Sequence, residues 1–200
     1  MSARIRFADP ARDAAGILAV YAPYIRETAI TFETEVPEPA AFERRVAEIG
    51  ADFPYLVLEV DGELAGYAYA HRQAERAAYA WNAELSIYLA EGWRGRGLGA
   101  PLYRLLERLL AMQGYVNLYG VITASNRGSI ALHEKLGYRQ IGLHERTGWK
   151  FGQWHDVAWL HKRVGTGEPR PIRPLAALDP AQVAREIAAA QREIEEKMKM

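Results

Sequence analysis

The alternation of hydrophobic and polar positions predicts a chain of interleaved strands and helices. Period-two alternation or dense apolar runs, both typical of strands, occur at residues 4–7, 55–60, 64–70, 83–89, 116–123, 138–143 and 154–163. Apolar residues at helical spacing occur at residues 10–25, 41–49, 102–110 and 129–136, and again after residue 179. Residues 29–34 fit either a short strand or an extended loop. This order predicts an α/β (α+β) fold with a mixed sheet in which strand 83–89 is central.

Glycine and proline residues mark where several of these elements should end. Pro23 lies inside the first helical pattern and predicts that the helix ends or kinks there, because proline cannot donate a backbone hydrogen bond. Asp61-Gly62 predicts a tight hairpin between two strands. Gly114 and Gly137 each follow a helical pattern and predict helix ends.

The composition of the chain changes after residue 164. Residues 165–178 are rich in proline and glycine and predict an extended linker or arm. Asp179 and Pro180 then predict the start of a final helix, with Val183, Ile187 and Ile194 on one apolar stripe. The chain is therefore divided into a folded domain (residues 1–164), an arm (165–178) and a C-terminal helix (179–200). This helix is expected to pack either on the domain or on a second subunit.

The overall composition excludes several classes of protein. The 25 basic and 25 acidic residues give no net charge, which removes the strongest sequence argument for a nucleic-acid partner. The chain has no cysteine, so it has no disulfide framework, cysteine nucleophile or thiolate metal site. Its five histidines show no metal-ligand spacing, and no metal is predicted. Without a secretory signal or a membrane-spanning pattern, we expect a cytoplasmic protein with no membrane partner.

A glycine-rich loop joins strand 83–89 to the following helix. The loop contains Arg94, Gly95, Arg96, Gly97, Leu98 and Gly99. Glycines leave the backbone N–H groups open to a ligand, and the first turn of a helix adds unpaired N–H groups and the positive end of its dipole. The loop therefore predicts a phosphate-bearing ligand, and a glycine-rich turn without a ligand is the alternative.

Two common phosphate-binding loops do not fit this sequence. A P-loop requires lysine after its last glycine, whereas Ala100 follows Gly99 here. A dinucleotide fingerprint requires a different glycine spacing and an acidic residue at the end of the next strand, and residues 116–123 contain no acid. The motif that remains is R-x-x-G-x-G, formed by Arg94, Gly97 and Gly99.

This motif, in this order of elements, resembles the pyrophosphate loop of the GCN5-related N-acetyltransferase (GNAT) superfamily. Within that superfamily, the segments ITFETEVP, AELSIYL, ASNRGSIALHEKLGY and GWKFGQWHDVAW are similar to the phosphinothricin and methionine sulfoximine acetyltransferases. The resemblance covers residues 4–164 and implies the GNAT fold, a mixed, mostly antiparallel central sheet flanked by helices. It also implies direct transfer of an acetyl group from acetyl-CoA to the α-amino group of a small glutamate-like compound. The alternatives are an acetyltransferase that acts on another amine or on a protein N-terminus, and a non-catalytic acyl-CoA-binding module.

The resemblance also implies roles for individual residues. Glu84 stands where the family carries its catalytic glutamate and is the predicted general base; an ion pair with an arginine such as Arg76 is the alternative. His133 stands where many members carry a tyrosine that protonates the leaving thiolate, so it is a second catalytic candidate. A surface or partly packed histidine is the alternative at that position. The further candidates for acetyl-CoA binding are Ile87, Tyr88, Leu89, Arg94, Gly95, Arg96, Gly97, Leu98, Gly99, Ala100, Asn126 and Ser129.

Substrate-binding candidates lie before and between the strands. They are Phe32, Glu33, Arg72, Arg76 and Tyr79. The arginines are included because a guanidinium group binds a carboxylate or phosphinate through two hydrogen bonds. A second basic position of some family members is occupied by Ala74 here, which argues against phosphinothricin itself as substrate. Residues 150–156 and the C-terminal helix together predict a homodimer.

Overall fold

A seven-stranded sheet in the order β1-β2-β3-β4-β5-β7-β6 organises the molecule. The computed structural model describes residues 1–199. The strands are β1 (Ala3–Phe7), β2 (Tyr55–Val60), β3 (Glu63–Arg72), β4 (Asn82–Leu89), β5 (Asn117–Thr123), β6 (Arg139–Lys150) and β7 (Gln153–Arg163). The helices are α1 (Pro10–Glu27), α2 (Pro39–Asp52), α3 (Gly99–Gln113), α4 (Arg127–Lys135) and α5 (Pro180–Lys197). The predicted mixed, mostly antiparallel sheet is confirmed, since β4 and β5 form the one parallel pair of this sheet.

Helices cover both faces of the sheet. Along β2, Tyr55 and Val57 point to α1 and α2, whereas Leu56 and Leu58 point to the side of α3. All four side chains are buried, so residues 55–58 are apolar in succession instead of alternating with polar residues, and Glu59 is the one charged residue of the strand. This explains why residues 55–60 read as one dense apolar run in the sequence.

The parallel pair β4–β5 separates soon after it begins. The two strands pair from Asn82 opposite Asn117 to Glu84 opposite Tyr119. On its other side, β4 stays paired with β3 as far as Leu89. The second half of β4 therefore has a free edge, which faces an opening between β4 and β5.

The first helix does not end at Pro23, although an end there was one of the two outcomes predicted for this proline. α1 continues through Pro23 to Glu27. Pro23 removes one backbone hydrogen bond, but the residues just beyond it, Tyr24 and Ile25, are buried and hold the last turn against the sheet. Residues 29–34, for which strand and loop were both open, form an extended loop.

The C-terminal helix packs on its own chain. Asp179 caps it as predicted, accepting a hydrogen bond from the N–H of Ala181, and the helix ends at Lys197; Met200, the last residue of the predicted helix, lies outside the described residues. Ile194 is fully buried in the core that α3 shares with the sheet. The side chains of Gln191 and Glu195 accept hydrogen bonds from the N–H groups of β1, at Ile5 (2.9 Å) and Ala3 (3.1 Å). Because β1 is an edge strand, α5 satisfies backbone donors that would otherwise be open.

Within residues 1–199, no helix has the length and apolar character needed to cross a membrane. The cytoplasmic location stays a prediction.

Candidate active site

Glu84 lies in a cavity of about 420 Å³ on the α1 side of the sheet. Side chains at every second position of β4 (Glu84, Ser86 and Tyr88) face this cavity, as the pleat of a strand requires. Loop 29–34 and strands β3, β5, β6 and β7 supply the rest of the wall. The other lining residues are Tyr21, Ile30, Thr31, Phe32, Tyr69, His71, Val121, Thr123, His144, Thr147, Val157 and Trp159.

The Glu84 carboxylate is largely withdrawn from solvent, with 22% of its side chain exposed. Its Oε1 atom lies 3.7 Å from Nε2 of His71, the residue opposite it on β3. Burial raises the pKa of the Glu84 carboxyl above its usual range, and the His71 imidazole opposes this shift. A carboxylate with a raised pKa holds a proton more readily than an exposed one, which suits a general base. The ion pair with Arg76, the alternative for Glu84, does not form.

The predicted residues of loop 29–34 take different positions. Phe32 lines the cavity and lies against Gly148 of β6, where a Cβ atom would collide with its ring. Glu33 lies behind the wall, where its Oε1 accepts hydrogen bonds from Arg45 (2.6 Å) and Tyr21 (3.2 Å). The Glu33 carboxylate therefore orients Tyr21, and Phe32 closes the cavity.

The predicted residues that follow β3 are not brought to Glu84. Arg72 lines a separate cavity beside Phe53 and Tyr115. Arg76 and Tyr79 lie in an exposed turn at residues 76–79. The reason is strand parity: in the pairing of β3 with β4, His71 and not Arg72 stands opposite Glu84, so the Arg72 side chain points to the other face.

A second cavity, of about 470 Å³, extends from the free edge of β4 to the glycine loop. Gly95 and Gly97 both have positive φ angles (73° and 77°), which glycine adopts without steric cost, and α3 begins at Gly99. The predicted residues that line this cavity are Ile87, Leu89, Arg94, Gly95, Gly97, Gly99, Ala100, Asn126 and Ser129. Tyr24, Ile30, Gly128, Leu132, Lys135 and Lys197 complete it.

Two predicted residues of the loop have other surroundings. Leu98 is fully buried in the core beneath the loop. The guanidinium group of Arg96 lies over the ring of Trp93, 4.9 Å from its centroid. Both residues shape the loop, but their side chains do not line the cavity.

The pairing of β3 with β4 decides which backbone groups of β4 face the opening. The N–H of Ala90 donates to the carbonyl oxygen of Ala65, so even-numbered residues of β4 bond to β3. The backbone of Ile87 and of Leu89 therefore points to the free edge, whereas the backbone of Tyr88 points to β3. The Tyr24 hydroxyl engages both backbone groups of Leu89: it donates to the carbonyl oxygen (2.6 Å) and accepts from the N–H (3.3 Å). Ile87 is left to present its N–H and C=O to the opening.

The two cavities meet in this opening. A gap of about 50 Å³ lies between β4 and β5 and is lined by Ser86 and Tyr88 from the Glu84 cavity and by Ile87, Asn126 and Ser129 from the glycine-loop cavity. A molecule bound along the free edge of β4 would thus reach the Glu84 cavity at one end and the glycine loop at the other.

His133 also borders this gap, but both of its ring nitrogens are engaged. Its Nδ1 lies 2.8 Å from the carbonyl oxygen of Ser129, which can only accept, so Nδ1 carries the proton. Burial lowers the pKa of the imidazole and so favours the neutral ring, in which Nε2 accepts the hydroxyl hydrogen of Tyr103 at 2.7 Å. The ring is 2% exposed and packs on Gly120. This arrangement holds the ring in place and leaves its catalytic role a prediction.

These features coincide with those of a known family. The model of the acetyltransferase (GNAT) domain matches residues 5–159. The chain belongs to the GNAT family and is an N-acetyltransferase.

Within this family, the chain is similar to two acetyltransferases that act on small molecules, as their names state. The chain is 34% identical over 169 residues to the phosphinothricin N-acetyltransferase of Streptomyces viridochromogenes, covering 84% of this chain and 92% of the relative. It is 34% identical over 176 residues to the L-methionine sulfoximine/L-methionine sulfone acetyltransferase of Pseudomonas aeruginosa, covering 86% of this chain and all of the relative (100%).

The fold is shared with a solved structure of the same kind. A phosphinothricin acetyltransferase from Sinorhizobium meliloti in complex with acetyl-CoA has a TM-score of 0.80 and 33% identity, covering 90% of this chain and 97% of that one. The predicted GNAT fold is therefore confirmed.

Proposed function

We propose that this protein transfers an acetyl group from acetyl-CoA directly to the α-amino group of a small glutamate-like compound of the methionine sulfoximine or phosphinothricin type. The observation that carries the proposal is the meeting of two cavities at the free edge of β4, with Glu84 in one and the glycine loop in the other. The names of the relatives support the class of substrate.

The residues of the second cavity fit the parts of acetyl-CoA. Open N–H groups at the glycine loop and at the start of α3 suit the pyrophosphate. The N–H and C=O of Ile87 suit the amides of the pantetheine arm, as an added strand would pair with a sheet edge. Asn126 and Ser129 line the same path. Acetyl-CoA supplies the thioester whose acetyl group is transferred.

Two groups of β4 serve two of the catalytic requirements, removal of a proton from the substrate and stabilisation of the thioester oxygen. The Glu84 carboxylate accepts, directly or through water, the proton that the substrate ammonium group must lose. The N–H of Ile87 donates a hydrogen bond to the thioester oxygen as negative charge develops there. The C–N bond then forms, the C–S bond breaks, and the second proton of the amine goes to the departing thiolate.

In the Glu84 cavity, the side chains available to bind an acidic amino-acid analogue differ from those predicted from the sequence. The cationic candidates that line it are His71 and His144, and no arginine or lysine of residues 1–199 is among its lining residues. Tyr69 and Tyr88 supply hydroxyl groups and apolar surface. We therefore assign to the two histidines the role first predicted for Arg72 and Arg76.

The test is release of CoA thiol from acetyl-CoA in the presence of a panel of amines. The panel contains methionine sulfoximine, methionine sulfone, phosphinothricin, the standard amino acids and short peptides. We expect activity with the first group, and mass spectrometry should locate the acetyl group on the α-nitrogen. Activity confined to peptides would replace the proposed substrate class by protein N-termini.

We also propose that the protein is a homodimer. Strands β6 and β7 and the turn between them expose several large apolar side chains at a place where no other element of residues 1–199 covers them. These are Ile141, Leu143, Trp149, Phe151 and Trp154. The apolar stripe of α5, by contrast, is used within its own chain, so the dimer contact is assigned to β6 and β7 alone.

A further inference from the structure

The end of α5 lies beside the glycine loop. Lys197, the last residue of this helix, lines the same cavity as Gly95, Gly97 and Gly99. A Cβ atom placed on Gly97 would lie 3.4 Å from Cδ and 3.9 Å from Nζ of Lys197. The ammonium group of a C-terminal residue is thus held next to the backbone that suits a pyrophosphate.

The position of Lys197 is fixed by the packing of α5. Ile194, one turn before it, is fully buried, and Glu193 accepts a hydrogen bond from Arg104 of α3 at 2.5 Å. The same Glu193 oxygen lies 3.8 Å from the Lys197 ammonium and steadies it from one turn away. With its side chain 32% exposed, Lys197 remains accessible to a ligand.

The other cations near the loop are differently engaged. Arg94 lies over the ring of Tyr24, 4.3 Å from its centroid, and donates to the carbonyl oxygen of Leu89. Arg96 lies over Trp93 and outside the cavity. Two lysines line the cavity, Lys135 and Lys197, and Lys197 is the one whose side chain lies next to Gly97. Since α5 lies outside residues 5–159, the GNAT match itself does not include Lys197.

We propose that Lys197 is a phosphate-binding residue of the cofactor site and pairs with the pyrophosphate of acetyl-CoA. The inference rests on the proposed use of acetyl-CoA. The backbone of the loop and the start of α3 offer hydrogen bonds but only partial positive charge. A lysine ammonium adds a full charge in a compact form that phosphate oxygens accept from any side. The C-terminal helix thereby becomes part of the active-site cleft.

Calorimetric titration of Lys197→Ala with CoA, dephospho-CoA and pantetheine tests the proposal. We expect CoA and dephospho-CoA to bind about 5- to 20-fold more weakly than to the wild type, the range for a partly exposed charged contact. Pantetheine, which lacks the pyrophosphate, should bind equally to both proteins. Lys197→Arg should retain most of the affinity, and Lys199→Ala, at an exposed neighbouring lysine, is the matched control.

Each other result has a defined meaning. Equal affinity of Lys197→Ala and wild type for CoA overturns the inference and leaves the proposed function standing. A loss with CoA but not with dephospho-CoA overturns the pyrophosphate assignment, because it places the contact at the ribose phosphate. If the wild type itself does not bind CoA, both this inference and the proposed function fail. Thermal unfolding of each variant verifies that α5 stays docked.

Discussion

Glu84 combines two properties at the scale of a single residue: it is withdrawn from solvent, and it is the carboxylate at the point where β4 and β5 separate. We expect Glu84→Gln to lower kcat by about 100-fold or more, the usual contribution of a general base. The amide keeps the shape of the side chain, so the affinity for CoA should stay the same. Steady-state kinetics and a CoA titration measure the two quantities, and an unchanged kcat would remove Glu84 from the mechanism.

His71 lowers the pKa of Glu84, and a pH profile of activity can detect this effect. Glu84 acts as a base only when ionised, so activity should fall as the pH drops through its raised pKa, above the value of about 4.3 for an unperturbed glutamate. The imidazole of His71 holds this pKa down. His71→Gln should therefore move the acidic limb of the kcat profile to higher pH.

A matched change at His144, the other histidine of the cavity, separates this effect from substrate binding. His144→Gln should raise the KM for the amine and leave the acidic limb of kcat in place. If His71→Gln leaves the limb where it was, the imidazole does not set the pKa of Glu84.

At this scale, the positions of residues tied to a motif could be predicted from the sequence, whereas positions that depend on strand parity could not. The glycine loop could be predicted because its residues are contiguous and their spacing excludes other phosphate loops. Arg72 is a predicted substrate ligand because its guanidinium group suits an anion and it lies close to Glu84 in the sequence. Whether it or His71 shares a face with Glu84 depends on the register of two strands, and a shift of one residue exchanges the faces.

Among the strands and helices, it is the packing of β3 against β4 that fixes the position of the free edge of β4. Gly66 of β3 lies opposite Leu89, and a Cβ atom there would be 2.6 Å from the carbonyl oxygen of Tyr88. Gly66→Ala must therefore displace the backbone of β4. We expect a loss of about 1–3 kcal/mol in the free energy of unfolding, as for overpacked core sites.

The same displacement should raise the KM for acetyl-CoA, because the backbone of Ile87 belongs to the strand that moves. Gly142→Ala is the control: this glycine of β6 has nothing within 4 Å of a Cβ atom. Urea unfolding and steady-state kinetics measure both effects. Equal values for the two variants would show that β4 tolerates the added methyl group.

Most helices and strands could be predicted from apolar periodicity, and the exceptions have tertiary causes. α1 passes through Pro23 because burial of Tyr24 and Ile25 offsets the lost hydrogen bond. That continuation has a functional result, since it carries the Tyr24 hydroxyl to Leu89. The separation of β4 from β5 could not be predicted, because nothing in the apolar pattern of either strand marks where their pairing stops.

At the scale of the whole molecule, the exposed apolar side chains of β6 and β7 predict association of two copies. Size-exclusion chromatography with light scattering should give a mass near twice the 22.5 kDa of the chain at micromolar concentration. Trp149→Glu with Trp154→Glu should shift the protein to monomer, since charges at a packed apolar contact oppose association. A wild type that elutes only as monomer would contradict the homodimer.

The free edge of β4 has one more consequence. An open strand edge usually invites other polypeptides to pair with it, and proteins shield such edges from aggregation. Here the edge lies inside the cleft between β4 and β5, where a gap of about 50 Å³ connects the two cavities. A folded neighbour is too thick to enter, whereas a slender, linear molecule bearing amide groups can. The cleft thus shields the edge from other folded proteins, and under the proposed function it leaves room for the acyl donor.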